Sequence, residues 1–171
     1  RLFLSNIYTT LTMEKLLHYV WKHKILPLKE LRTSTGQLVE IIDPGLKNLH
    51  AGPDFFNAKI KLDGVLWVGN VEIHLQSSDW YKHGHHHNPA YNSVILHVTS
   101  NIDADVIRNN GEHIPQLFLS CPDYICSNYK ELLETDSYPP CYRIVPSLSQ
   151  LTIHSWMTSL HMERMEQKVR Q

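Results

Sequence analysis

The chain has 171 residues, 42% of them apolar and 19% charged. That is enough to bury the core of one domain, and it excludes wholesale disorder. Lys and Arg number 16 against 17 Asp and Glu, so no global positive field exists and any contact with nucleic acid needs a local patch.

Residues 1–12 hold no compact apolar run and no small-residue cleavage site. They read as an extension ahead of Met13 rather than a signal peptide. From Glu14 to Lys24, Leu16, Leu17, Val20 and Trp21 recur at the spacing of an amphipathic helix, which Pro27 stops. Thr33 to Gly36 is turn-like, and Gln37 to Asp43 reads as a strand closed by Pro44-Gly45. A loop follows, L-K-N-L-H-A-G-P-D, with breakers at Gly52 and Pro53. Phe55 to Leu62 alternates, with Ala58, Ile60 and Leu62 on one face and Asn57, Lys59 and Lys61 on the other. Asp63-Gly64 is a two-residue hairpin turn, and Val65 to Leu75 is the returning strand.

Ser77 or Ser78 is expected to cap a short helix near Asp79, broken by Gly84 and Pro89. Ser93 to Thr99 is a nearly continuous apolar run, the mark of a strand buried on both faces. Ile114 to Ser120 suggests a further strand that Pro115 confines to an edge or a late start. Cys121, Cys126 and Cys141 cannot all pair within one chain and lack C-x-x-C spacing, which points to a reducing, cytoplasmic setting. Tyr124 to Glu134 is expected to be helical, with Pro139-Pro140 beyond its end. Leu148 to Gln171 reads as a helix with Trp156, Met157 and Leu160 on one side and mixed charge elsewhere. No apolar run approaches the roughly 18 residues of a spanning helix, so no membrane contact is expected. The order implies an α/β or α+β fold around a central mixed sheet with a hairpin core, flanked by helices. Residues 13–147 would be the core domain, and 148–171 the helix opening a further region.

Asp54 and Glu72 lie on either side of the Asp63-Gly64 turn. A two-residue turn sets residue 54 against 73 and 55 against 72, so the two acids are one step from directly opposite. Strict alternation would put Asp54 with Ala58 and Ile60, and the Gly52-Pro53 bend is expected to redirect it. Carboxylates brought together repel unless a proton or a cation lies between them, and hard divalent cations prefer such ligands. His74 and Gln76 share the face of Glu72 on a regular strand.

G-P-D-F at 52–55 and G-N-V-E-I-H at 69–74 resemble the PD-(D/E)xK nuclease pattern. The resemblance implies a restriction-endonuclease-like core in which Asp54, Glu72 and the backbone carbonyl of Ile73 hold a catalytic Mg²⁺ or Mn²⁺. His74 stands where that superfamily has lysine, and Lys59 or Lys61 from the facing strand is the candidate replacement. A longer resemblance, over most of residues 13–170, is to a bacterial family of unknown function, DUF2851. It rests on M-E-K-L-L-H-Y-V-W at 13–21, D-P-G at 43–45, G-P-D-F-F-N-A-K-I at 52–60, N-V-E-I-H-L-Q-S-S-D-W at 70–80 and Y-N-S-V-I-L-H-V at 91–98.

Other residues have plainer readings. Four of the 12 histidines fall in Y-K-H-G-H-H-H at 81–87, where His83, His85, His86 and His87 offer Zn²⁺ or Ni²⁺ ligands but adjacent rings point apart, as in an exposed loop. Asp79 and Trp80 cap and anchor the short helix. His97 reads as a satisfied buried histidine. Cys121, Cys126 and His113 are poorly spaced for zinc. Lys59, Lys61, Lys82 and the histidine loop are the available phosphate contacts. The expected function is metal-dependent hydrolysis of nucleic-acid phosphodiester bonds by Asp54, Glu72, His74 and Gln76. The alternatives are a catalytically inactive nuclease-like module that binds nucleic acid or protein, and a His-rich, cupin-like metal protein built on His74, His85 and His97.

Overall fold

A computed structural model describes residues 13–27, 29–134 and 147–169. The expected extension at 1–12, Pro139-Pro140 and Cys141 lie outside the described residues. Its contacts divide the chain into two compact units, Arg1–Ile125 and Cys126–Gln171.

The first unit opens with helix α1, residues 13–22. Leu16, Leu17, Val20 and Trp21 are all buried on it, as their spacing requires. The strands are β1 (Leu31–Arg32), β2 (Leu38–Asp43), β3 (Leu46–Lys47), β4 (Phe55–Leu62), β5 (Val65–Gln76), β6 (Val94–Asn101) and β7 (Gln116–Phe118). They form one sheet in the order β1-β2-β4-β5-β6-β7, with β3 paired beside β4. Pairing is antiparallel from β1 to β5 and parallel from β5 through β6 to β7. A bridge between Thr33 and Leu117 brings the two ends of the sheet together, so the sheet is nearly a barrel. The parallel ladders distinguish it from the all-antiparallel barrels of cupin type. Helix α2 (Asp79–Lys82) and two 3-10 turns, His85–His87 and Pro89–Ser93, make the crossover from β5 to β6.

One face of the sheet presents Phe55, Ala58, Ile60, Val71, Ile73 and Val98 to Leu17, Val20 and Trp21 of α1. Each of the larger aliphatic and Phe side chains removed from water contributes roughly 2 kcal/mol. The opposite face lies under a smaller cluster of Trp80, Tyr91, Val94, Val106 and Ile114. Trp80 is fully buried and its Nε1 donates to Ile107 O at 2.9 Å, so it anchors α2 as expected. Ser78 occupies the N-cap of α2, but its side chain makes no capping bond; it donates to Asp103 Oδ2 at 2.7 Å instead.

Sequence and structure differ at two short strands. β1 and β3 are two residues each, too short to show a period, and β3 falls inside the expected loop. Helix α3 spans Asp123–Glu134. In helix α4 (Gln150–Val169) no residue is buried, and Trp156, Met157 and Leu160 are exposed. No described helix is long and apolar enough to cross a membrane.

Candidate metal centre

The hairpin brings the two acids together by a device that the spacing alone does not contain. From Leu62↔Val65 to Ala58↔Gly69 the register is that of a two-residue turn. Between Ala58 and Phe55 it slips by one, and Phe55 pairs with Val71. The extra residue lies at Phe56–Asn57, where Asn57 adopts φ 55°. This bulge reverses the alternation. Phe55 joins Ala58 and Ile60 in the core, and continuation of the register sets Asp54 across from Glu72. The bulge, and not the Gly52-Pro53 bend alone, redirects Asp54.

Backbone amides then fix both carboxylates. Asp54 N–H donates to Glu72 Oε2 at 3.0 Å, and Ile73 N–H donates to Asp54 Oδ2 at 2.9 Å. Helix α1 contributes two polar residues one turn apart, Glu14 and His18. His18 Nε2 lies 3.3 Å from Asp54 Oδ2 and makes no hydrogen bond, while its Nδ1 lies 3.1 Å from Lys47 Nζ on β3.

Imidazoles crowd the other side of Glu72. His74, two residues along β5, is 1% exposed. Its Nδ1 is 2.8 Å from His97 Nε2 on the parallel strand β6, and its Nε2 is 3.1 Å from His83 Nδ1. Glu72 Oε1 lies 3.5 Å from His74 Nε2 and 3.2 Å from His85 Nε2. Gly84, at φ 72°, turns the chain between His83 and His85 so that both reach the cluster. His85 stacks on Tyr91 with centroids 3.8 Å apart and meets the edge of Trp80 at 5.2 Å.

Burial dominates the electrostatics. The Glu72 carboxyl is pushed up to about 9, first by desolvation and then by Asp54. Glu14 is raised by burial and by Asp54, against the lowering effect of His18. Desolvation drives His74 down to about 2 and His97 down to about 4, and it also lowers His85. Burial, then Glu72 and Asp54, raise the Tyr91 phenol to about 12. Burial thus favours the neutral forms of Glu72, His74, His85 and His97, an arrangement that a cation can replace.

Of the residues expected from sequence, Asp54, Glu72 and His74 come together. The Ile73 amide joins them through Asp54. Gln76 does not: it is exposed at the end of β5, and its Oε1 accepts from Lys82 Nζ at 3.2 Å. Lys59 and Lys61 stand opposite Val68 and Leu66, four and six residues along β5 from Glu72, about 13 Å or more away. Neither lies beside the acid pair. Of the histidine run, His83 and His85 face the centre, while His86 packs on Tyr81 and His87. His97 is buried, as expected, but its partner is His74. Glu14, His18 and Lys47 were not anticipated. The one sequence signal for the first two is their separation of four residues on a helix, which places them on one face.

These features define the class: a mixed-sheet α+β domain with carboxylates and imidazoles, Glu72, His74, His85 and His97 among them buried, gathered at one end of its central hairpin. A family model described as "Protein of unknown function (DUF2851)" matches residues 14–171, and the chain belongs to that family. Comparison with curated proteins finds no match. Comparison with solved structures finds none either.

Proposed function

We propose that the protein is a divalent-metal-dependent hydrolase of nucleic-acid phosphodiester bonds, with Mg²⁺ or Mn²⁺ held by Asp54 and Glu72. The observation that carries this reading is the fixed Asp54–Glu72 pair, two carboxylates set across the hairpin by reciprocal backbone hydrogen bonds with Glu14 close by. Two acidic side chains with oxygen donors suit a hard cation. The order of elements supports a PD-(D/E)xK-like reading: a helix, an antiparallel meander, a short helix, then a strand parallel to the one bearing Glu72. On this reading the Ile73 carbonyl is the third oxygen donor.

The ion, when bound, would neutralise the scissile phosphate and lower the pKa of a water molecule. The chain's own residues supply the rest. His74 is too buried to take the lysine's place beside water. Lys47, in contact with His18 on the Asp54 side, is the cation positioned for that task. It would orient the attacking water or a phosphate oxygen.

The test is cleavage of single- and double-stranded DNA and RNA by the purified chain with Mg²⁺ or Mn²⁺. Cleavage is expected, with loss on chelation and a fall of about a hundredfold or more in Asp54→Asn and in Lys47→Met, each with native circular dichroism. Absence of cleavage on all four substrates, or full activity in Asp54→Asn, overturns the reading. In the first case, retained nucleic-acid binding would favour a non-catalytic module.

A further inference from the structure

The hydrolase reading leaves the imidazoles unexplained. One nitrogen from each of His74, His83 and His85 lies within 4.8 Å of the others. Hydrogen bonds join His74 to His97 and to His83 but leave His85 Nε2 without one. In its neutral form His74 carries one ring proton. If that proton lies on Nδ1, facing His97 Nε2 at 2.8 Å, then Nε2 is a bare lone pair. That lone pair points at His83 Nδ1 and at Glu72 Oε1. His85 Nε2 is buried without a hydrogen-bond partner, although Glu72 Oε1 is 3.2 Å away. With His83 Nδ1–H donating to His74 Nε2, His85 Nε2 is left to a proton on Glu72.

A cation can take the place of those protons. Bonds of 2.0–2.1 Å to a tetrahedral zinc place neighbouring donors about 3.3 Å apart. The separations here are 3.1 Å from His74 Nε2 to His83 Nδ1, 3.2 Å from His85 Nε2 to Glu72 Oε1 and 3.5 Å from His74 Nε2 to Glu72 Oε1. Three imidazoles and one carboxylate select a borderline transition metal over Mg²⁺.

We propose that His74, His83 and His85, with Glu72 Oε1 as fourth donor, form a zinc-type site beside the Asp54 centre, the Glu72 carboxylate being common to both. The site draws on the hydrolase reading only through that shared residue. His97 acts as the outer partner that fixes the His74 tautomer, by accepting from Nδ1 and leaving Nε2 for the metal. Tyr91 and Trp80 hold the ring of His85 from two sides, so the donors are preorganised. His83 is exposed and gives the ion its way in. The Gly84 turn explains why only two of the four histidines in the run take part: a left-handed residue between His83 and His85 aims both inward and leaves His86 and His87 outside.

The experiment is titration of the chelator-treated chain with Co²⁺, read by visible absorption, followed by displacement with Zn²⁺. One equivalent of Co²⁺ is expected to give the intense visible bands of a four-coordinate ion. His83→Ala, an exposed change that spares the core, is expected to weaken binding at least about a hundredfold, as is His85→Gln. Asp54→Asn and the double variant His86→Ala, His87→Ala are expected to keep the spectrum. Failure of the parent to give four-coordinate bands overturns the proposal. So does an unchanged spectrum in His83→Ala, or loss of binding confined to the His86/His87 variant, which would mark adventitious capture by the loop. Cobalt bands that persist in a chain with no nuclease activity would remove the hydrolase reading and leave this site standing. Cleavage without cobalt bands would do the reverse.

Discussion

Glu72 is 4% exposed, yet it carries a group that ordinarily ionises near 4.5. Desolvation, and after it Asp54, raise its folded value to about 9. Between those values the folded chain holds a proton that the unfolded chain releases. Its contribution is therefore complete below 4.5 and is lost as pH rises toward 9. Glu72→Gln copies the protonated form and keeps an oxygen to accept from Asp54 N–H. In metal-free protein, the melting temperature of the parent is expected to fall relative to Glu72→Gln between about pH 5.5 and about pH 8.5. A constant offset over that range would show that the carboxyl is not perturbed. Residue by residue, the two acids were legible because Gly-Pro-Asp and an alternating strand flank a recognisable turn. Of the partners of His74, His85 and His97 were grouped with it only in the alternative metal reading, and His83 was not. His97 reaches it through a parallel pairing, and His83 and His85 through a left-handed glycine; neither leaves a local period. Glu14 and His18 show their common face but not what that face meets.

At the scale of elements, the hairpin was read correctly from its turn as far as Ala58, and the bulge beyond it was not. Alternation counts residues and cannot see an inserted one. Asn57 marks the insertion, since asparagine is among the few residues that take positive φ readily. Its N–H donates to Asn70 Oδ1 at 3.3 Å, which ties the bulge to β5. Asn57→Gly is expected to leave stability within about 0.5 kcal/mol, whereas Asn57→Val, whose β-branch clashes at this φ, should cost about 1–2 kcal/mol. Urea melts of the two variants separate the outcomes; equal midpoints would deny that φ at this position constrains the hairpin. Because the bulge also sets the side on which Asp54 emerges, the valine variant links local strain to the carboxylate pair.

On the scale of the whole molecule, the near-closure of the sheet had no sequence signature. It depends on the bridge between Thr33, just past the two-residue β1, and Leu117 in the three-residue β7, far apart in the chain. Ser34 N–H donating to Gln116 O at 2.8 Å adds to that seam. Closure leaves few unpaired strand edges, a condition that short edge strands such as β7 also serve. The two hydrophobic clusters draw their buried residues from Leu17 to Leu119, all within the first compact unit. So do Asp54, Glu72 and the imidazoles. The fold and the candidate site should therefore survive without the second unit. A chain of residues 13–125 is expected to melt cooperatively within about 5 °C of the parent and to bind Co²⁺ within about threefold of its affinity. If that chain is unfolded by circular dichroism, or folds and binds cobalt tenfold more weakly, the second unit contributes to the core or to the metal centre, and the site is not the property of the sheet alone.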